Sequence, residues 1–126
     1  MYSVTADSLF SDEALSPNIV MLELGANLGI RDMATGESAI LLLVGPDDRE
    51  PVTSPKWYVS EWRDQSTVAI RRLAELDLSS LSFTSCFKEL KPEAITILEE
   101  TPRRYRVVVL SDGVCDGGPL VFDLPR

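Results

Sequence analysis

The sequence predicts an α+β fold, in which one helix packs against a curved antiparallel sheet of about six to eight short strands. Three observations predict it. Short apolar or alternating segments recur along the chain with turn residues between them. One segment has helical periodicity, and strands do not alternate regularly with helices as they do in a doubly wound parallel sheet. An all-β sandwich or barrel is the alternative, because the helix depends on that one segment.

The length and composition predict a single globular domain that spans residues 1–126. Hydrophobic residues make up 44% of the chain and charged residues 25%, which is close to the average for globular proteins. A chain of this length buries enough apolar surface to hold a core without disulfides or a metal.

The N-terminal region predicts one edge strand, one helical turn and one buried strand. Tyr2, Val4 and Ala6 alternate with polar residues, as in a strand at the edge of a sheet. Residues 11–15 fit a single helical turn that begins at a serine cap. Residues 18–24 are mostly apolar and precede a glycine, which is typical of a buried strand.

Two hairpins follow from pairs of apolar segments that are separated by short polar turns. The first pairs residues 28–31 with residues 37–44, and its connection carries a glycine that can adopt the positive φ of a turn. The second pairs residues 94–99 with residues 105–111. Further strands are predicted at residues 56–61, 81–87 and 120–124.

Residues 64–77 are predicted to form the helix. Ala69, Ile70, Leu73 and Leu76 lie at helical spacing and form one apolar stripe. The alternative is a strand over residues 67–73 that pairs with residues 56–61, since short apolar segments fit both periods. The fold class depends on this one segment.

The absence of histidine excludes several classes of chemistry. Without imidazole there is no Ser-His-Asp or Cys-His nucleophile system and no zinc or haem site with a histidine ligand. The two cysteines, Cys86 and Cys115, cannot build a four-thiolate site, and we expect them to remain reduced thiols in a cytoplasmic protein. No cofactor is predicted.

The net charge and the short apolar runs of the chain argue against nucleic acid and membrane as partners, and the charge favours a basic protein. Twenty acidic and twelve basic residues give a net charge of −8, which is unsuited to binding nucleic acid. No apolar run approaches the roughly 20 residues of a membrane-spanning helix, so no membrane partner is expected. A protein with a basic surface is the expected partner.

An aromatic cluster and an acidic cluster suggest where such a partner binds. Trp57, Tyr58 and Trp62 lie close together after a proline-rich loop, and on a strand Trp57 faces away from the other two. One interpretation is that one set is an exposed anchor for a partner, because tryptophan and tyrosine dominate binding hot spots. The other is that both sets belong to the core.

The acidic residues near the aromatic cluster are Asp47, Asp48, Glu50 and Glu61. They are expected to form an acidic rim beside the aromatic side chains, complementary to a basic partner. An ordinary solvated face is the competing interpretation.

Asp112, Asp116 and Asp123 are weak candidates for a metal site. Asp112 and Asp116 flank Cys115 in a glycine-rich segment, and carboxylate oxygens are the ligands of Ca²⁺ and Mg²⁺. The spacing does not fit a helix–loop–helix calcium loop, because Val114 occupies a ligand position. A hairpin loop stabilised by its own aspartates is the favoured interpretation.

These observations lead to a function hypothesis with two alternatives. The leading one is a non-enzymatic acidic protein-binding domain that acts as an inhibitor, an immunity protein or a counter-defence regulator of a protein partner. The first alternative is a small-ligand-binding β-barrel or sandwich whose cavity is lined by aromatic residues, namely Trp57, Tyr58, Phe83 and Phe87. The second is a carboxylate-based Ca²⁺- or Mg²⁺-binding domain.

Overall fold

The structure, a computed structural model, describes residues 2–3, 18–47, 53–63, 68–79, 81, 90–114 and 118–126. These residues form strands and contain no helix, so the predicted α+β fold with one packed helix is wrong. The strands in chain order are β1 (Tyr2–Ser3), β2 (Asn18–Ile19), β3 (Leu28–Thr35), β4 (Ile40–Pro46), β5 (Tyr58–Trp62), β6 (Arg71–Glu75), β7 (Lys91–Glu100), β8 (Arg104–Asp112) and β9 (Leu120–Pro125).

The longer strands form two antiparallel sheets, as the turn-rich sequence indicates. One sheet has the order β3-β4-β5-β6 and the other has the order β7-β8-β9, while β1 and β2 form a separate two-stranded pair. Each strand is thus paired with its neighbour in sequence, which short connections favour. The described strands do not close into a barrel.

Both predicted hairpins are present; β3, β7 and β8 are longer than predicted, whereas β4 begins three residues later than the predicted residues 37–44. β3 pairs with β4, and β7 pairs with β8. Residues 32–35, predicted as part of the first turn, continue β3 instead. The turn begins at Gly36, directly after β3, where the Gly36 amide donates a hydrogen bond of 2.8 Å to the Ala39 carbonyl.

The segment predicted as a helix contains β6, which pairs with β5. The observed pairing is close to the alternative interpretation, with the strand beginning at Arg71 rather than at residue 67. A β-bulge explains the misleading pattern. Val59 pairs with Ala74 and Ser60 with Arg72, so Leu73 is an extra residue in the ladder. The bulge interrupts the two-residue period, and the apolar spacing then resembles that of a helix.

The remaining strand predictions have mixed outcomes. Strands are found near residues 56–61 and 120–124 as predicted, at β5 and β9. The strand predicted at residues 18–24 is limited to β2. The strand predicted at residues 81–87 and the helical turn at residues 11–15 lie outside the described residues, apart from Leu81.

The two sheets face each other across a shared core. Alternate residues of β4, β5, β8 and β9 point into it, which is the two-residue period of a strand with one face inward. Fully burying a leucine or a valine contributes roughly 1.5–3 kcal/mol, so this cluster is the main source of stability. Its buried members are Ala34, Leu41, Leu43, Trp57, Val59, Leu76, Ile95, Tyr105, Val107, Val109 and Leu124.

The outer face of the four-stranded sheet is covered by a second apolar layer. Residues 20–24 belong to no strand, and Val20, Leu22 and Leu24 pack on that face together with residues near the start of β3. The buried side chains beneath are Leu42, Val44, Tyr58 and Trp62. Both faces of β4 and β5 are therefore buried, whereas no such layer is described over the outer face of β7, β8 and β9.

The edge strands β3 and β7 are joined by side chains at their bulges. Arg31 and Glu93 are each skipped in the ladder of their own sheet, and they face each other as an ion pair of 3.7 Å. The next residue of β3, Asp32, accepts a hydrogen bond of 2.8 Å from the backbone amide of Ile95. A carboxylate on one edge strand thus satisfies an amide on the other.

Within the described ranges, no helix has the length and apolar character needed to cross a membrane.

Candidate functional site

A buried carboxylate at one end of the two sheets is the most unusual chemical feature of the described residues. Val59 and Glu61 on β5 continue the alternation that begins at Trp57, directly before the strand, so Glu61 points into the core between the sheets. Its side chain is fully buried. An isolated charge in such a place costs several kcal/mol, so its partners decide whether it is tolerated.

Four side chains surround this carboxylate, and three of them donate hydrogen bonds to it. Oε2 accepts hydrogen bonds of 2.8 Å from Arg63 Nε and from Arg71 Nη2. Oε1 accepts one of 2.7 Å from the Tyr105 hydroxyl and lies 4.0 Å from Arg126 Nε. Arg71 is the residue directly opposite Glu61 in the β5–β6 ladder. We call these five residues the Glu61 network.

A second carboxylate extends the network to the turns at the same end. Glu100 Oε1 lies 3.2 Å from Arg126 Nη1 and accepts a hydrogen bond of 2.9 Å from the Ser38 hydroxyl. Its Oε2 accepts one of 2.7 Å from the Glu37 amide. Arg126 also donates to the Ser38 hydroxyl. The β3–β4 turn and the C-terminus are thereby fixed to the end of β7.

The protonation of the network follows from these contacts. Burial raises the pKa of Glu61, but the hydrogen bonds from Arg63, Arg71 and Tyr105 outweigh it and hold that pKa at about 2. Burial and the hydrogen bond to Glu61 raise the pKa of Tyr105. At neutral pH the carboxylate is ionised and the phenol protonated. The Glu61 network therefore holds strands together. With Glu61 ionised, it is a poor proton donor.

A groove opens at the opposite end of β5, where the residues before that strand meet those after β6. Its volume is about 720 Å³. Half of the described residues that line it are apolar, namely Pro55, Trp57, Leu76, Leu78, Leu81 and Leu90. Three exposed charged residues also line it, namely Lys56, Glu75 and Asp77. Lys56 Nζ pairs with Glu75 Oε1 at 2.9 Å. We call this site the Trp57 groove.

A close backbone approach fixes Trp57 at the inner end of this groove. Gly45 lies against the indole, and a Cβ at Gly45 would be only 2.1 Å from Trp57 Cζ3. The guanidinium of Arg31 lies 5.7 Å from the indole ring centroid. A residue with a side chain at position 45 would therefore displace the ring.

The structure divides the predicted aromatic cluster between two buried layers. Trp57 belongs to the core between the sheets, while Tyr58 and Trp62 belong to the layer on the outer face of the four-stranded sheet. The opposite orientations predicted for Trp57 and the other two are therefore present. All three side chains are buried, so a partner that meets the folded chain contacts at most the edge of Trp57 that lines the groove.

Of the predicted acidic rim, Asp47 and Glu61 are described, and these two lie apart. Asp47 directly follows β4, at the same end of the sheet as the Trp57 groove. Glu61 lies at the far end of β5 and is buried inside. Asp48 and Glu50 are outside the described residues. Among the described residues, the acidic charge near the groove comes from Asp47, Glu75 and Asp77, of which the last two were not part of the predicted site.

Of the weak metal candidates, Asp112 and Asp123 are described and Asp116 is not. Asp123 forms a two-pronged ion pair with Arg106, at 3.0 and 3.1 Å, and the hydrogen bond from Arg106 lowers its pKa. Asp112 lies six residues from Arg106 along β8, a distance of about 20 Å. Among the described residues, no three acidic or cysteine side chains are grouped as metal ligands would be.

Sequence reasoning missed most of the Glu61 network. Arg63, Arg71, Tyr105 and Arg126 come from four segments, and nothing in the linear order indicates that they meet. One signal was present for Glu61 itself. It shares the two-residue period of Trp57 and Val59, which marks it as an acid on the buried face of a strand.

Comparison with known proteins gives no assignment, since no family model matches the chain and neither a curated protein nor a solved structure is significantly similar to it.

Proposed function

We propose that this chain is a non-enzymatic acidic binding domain that regulates a basic protein partner, in the manner of an inhibitor, an immunity protein or a counter-defence protein. The Trp57 groove is the observation that carries the proposal. It combines an apolar lining with exposed carboxylates, and the chain around it has a net charge of −8. An apolar pocket with a charged rim suits an anchor side chain flanked by basic residues.

The chemistry of the Glu61 network supports a binding role over a catalytic one. A general acid or base needs a pKa near the operating pH and access to a substrate. The Glu61 pKa is about 2, and both of its oxygens already accept hydrogen bonds from Arg63, Arg71 or Tyr105. The network instead gives the binding domain a rigid frame.

The Trp57 groove also favours a second candidate, a small apolar ligand. Its volume of about 720 Å³ lies within the range of ligand pockets, and leucine side chains predominate among its apolar residues. The two candidates differ in their response to salt. Binding of a basic protein weakens as salt screens the charges, whereas binding of a neutral apolar ligand does not.

A capture experiment with matched variants tests the proposal. The tagged chain is incubated with lysate of cells that carry its gene, and retained proteins are identified and remeasured in purified form by calorimetry. Glu75→Lys reverses a charge at the groove, and Glu37→Lys makes the same change in the turn at the opposite end. We expect Glu75→Lys to weaken binding several-fold and Glu37→Lys to have little effect.

The salt dependence and the variants provide the decisive outcomes. Retention of a basic protein that falls between about 50 and 500 mM salt supports the proposal. Retention that is equal for Glu75→Lys and Glu37→Lys, or that does not change with salt, overturns it. A neutral apolar probe such as N-phenyl-1-naphthylamine tests the small-ligand candidate. If the probe binds in the groove and no retained protein displaces it, that candidate is favoured instead.

A further inference from the structure

The described side chains of the Glu61 network and its extension carry more positive charge than their carboxylates neutralise. Arg63 and Arg71 both donate to the same oxygen, Glu61 Oε2. Arg126 lies 4.0 Å from the other oxygen and is paired with Glu100 at 3.2 Å. Three guanidinium groups therefore meet two carboxylates, which leaves one positive charge here although the whole chain has a net charge of −8.

The excess charge lies on two guanidinium groups that face the solvent. The side chains of Arg63 and Arg71 are 51% and 53% exposed, whereas that of Glu61 is fully buried. A guanidinium has five N–H donors. Within the described part of the chain, Arg63 donates through Nε alone, and Arg71 through Nε and Nη2. Both Nη groups of Arg63 and Nη1 of Arg71 can therefore donate to an acceptor from outside.

The buried carboxylate fixes the positions of these two guanidinium groups. Arg63 Nε and Arg71 Nη2 each lie 2.8 Å from Glu61 Oε2, so the two nitrogens are at most twice that distance apart. One small anion can span such a separation. Ordering a long side chain normally costs free energy when a ligand binds. Here the contact with Glu61 has already ordered both arginines, so the pair is preorganised.

The charge of the pair selects the class of anion. Arg63, Arg71 and Glu61 together carry one positive charge, which a single carboxylate neutralises. A phosphate monoester carries nearly two negative charges at neutral pH, so it would add negative charge to a chain that already has an excess. The planar fork of a guanidinium also matches the two oxygens of a carboxylate.

Arg106 shows the contrasting arrangement. Its Nε and Nη2 bind the two oxygens of Asp123 at 3.0 and 3.1 Å. One guanidinium thus meets one carboxylate in full, and the pair is neutral. At Glu61 two guanidinium groups share one oxygen, and a second carboxylate on the solvent side would restore the same balance.

We propose that Arg63 and Arg71 bind the carboxylate group of a ligand on the solvent side of Glu61. We call this the carboxylate site. A free carboxylic acid and the C-terminal carboxylate of a peptide share this chemistry. The carboxylate site lies at the end of β5 opposite the Trp57 groove, and it is independent of the proposed function.

An NMR titration of the full chain tests the carboxylate site. The ¹H–¹⁵N signals of the Arg63 and Arg71 side-chain Nε groups and backbone amides are followed at constant ionic strength. Propionate, the probe for a free acid, should shift them with a Kd of a few millimolar, roughly what one weak charge-assisted contact gives. N-acetylalanine is the probe for a peptide end, and tighter binding of it identifies that source. Uncharged N-acetylalaninamide should leave the signals unchanged.

Variants locate the binding. Arg63→Gln removes one of the two guanidinium groups and leaves Arg71 and Tyr105 on Glu61, so we expect propionate to bind roughly five-fold more weakly or worse. Arg63→Lys keeps the charge without the planar fork and should recover part of that loss. Arg106→Gln is the matched control, because its charge is already neutralised by Asp123, and it should have no effect. Thermal unfolding checks that the variants fold.

Three results would overturn the carboxylate site. One is the lack of any shift at Arg63 and Arg71 up to about 50 mM propionate. Another is an equal effect of Arg63→Gln and Arg106→Gln. The third is tighter binding of inorganic phosphate than of propionate, which would contradict the charge argument. None of them bears on the Trp57 groove, which the Glu75→Lys variant tests.

Discussion

The Tyr105 hydroxyl donates a hydrogen bond of 2.7 Å to Glu61 Oε1 across the space between the two sheets. Both side chains are buried, and they are separated by 44 positions in the sequence. Because Arg63 and Arg71 bind the other oxygen of the same carboxylate, this contact links β5, β6 and β8.

Neutralising Glu61 should destabilise the protein strongly. Glu61→Gln removes the carboxylate charge that Arg63 and Arg71 bind, and because these arginines are about half exposed, the loss is that of hydrogen bonds to a charged group, about 1.5–3 kcal/mol. Tyr105→Phe removes one hydrogen bond to a charged group, which costs about 1.5–3 kcal/mol. Urea unfolding measures both. Glu99→Gln, at an exposed ion pair with Arg104, is the control and should change the free energy by less than about 1 kcal/mol.

The stability of the protein should fall in acid because of Glu61. Its pKa is about 2 in the folded chain and 4.5 without these contacts, so the contribution is fully present above about pH 4.5 and is lost as the pH falls through about 2. The shift corresponds to about 3 kcal/mol. The free energy of unfolding is measured by urea titration at several pH values in that window. A Glu61→Gln protein with an unchanged acid dependence would contradict the assignment.

Adding a methyl group at Gly45 should disturb the core around Trp57. The new Cβ would be 2.1 Å from the indole, so the ring or the strand must move, at a cost of about 1–3 kcal/mol. Near-UV circular dichroism and tryptophan fluorescence report the displacement. Gly29→Ala is the control, because its Cβ would lie 3.7 Å from Asp47, an ordinary contact. Similar stabilities and spectra for the two variants would be inconsistent with this packing.

Asp32 should be needed at the contact between β3 and β7. Asp32→Ala leaves the Ile95 amide without its hydrogen-bond acceptor, and an unsatisfied amide costs about 1–3 kcal/mol. Asp32→Asn keeps an acceptor oxygen and should recover much of that loss. Hydrogen exchange at the Ile95 amide gives a local measurement. Fast exchange in the wild-type chain, or equal exchange in both variants, would exclude the contact.

Local patterns predicted much of the strand content but not the fold class. The two hairpins and the last strand are visible in the sequence because short-range turns fix their pairing. The helix prediction failed at β6, where the bulge at Leu73 interrupts the two-residue period. A bulge depends on the partner strand, so it leaves no reliable sequence signal.

The candidate site was predictable only in part, for a similar reason. The sequence placed Trp57 and Tyr58 on opposite faces of a strand, as found. It gave no indication that residues 20–24 cover the second face and bury Tyr58 and Trp62. It also grouped Glu61 with Asp47, although β5 separates the two and Glu61 faces inward.

The sequence by itself determined the net charge, the lack of imidazole chemistry and the alternation that assigns each side chain of a strand to a face. These properties are local or additive, so they do not depend on how the chain folds. Only the tertiary structure decided which faces are covered, which arginines reach Glu61 and which aliphatic residues stay exposed. Those outcomes depend on contacts between residues far apart in the chain, which no single segment specifies.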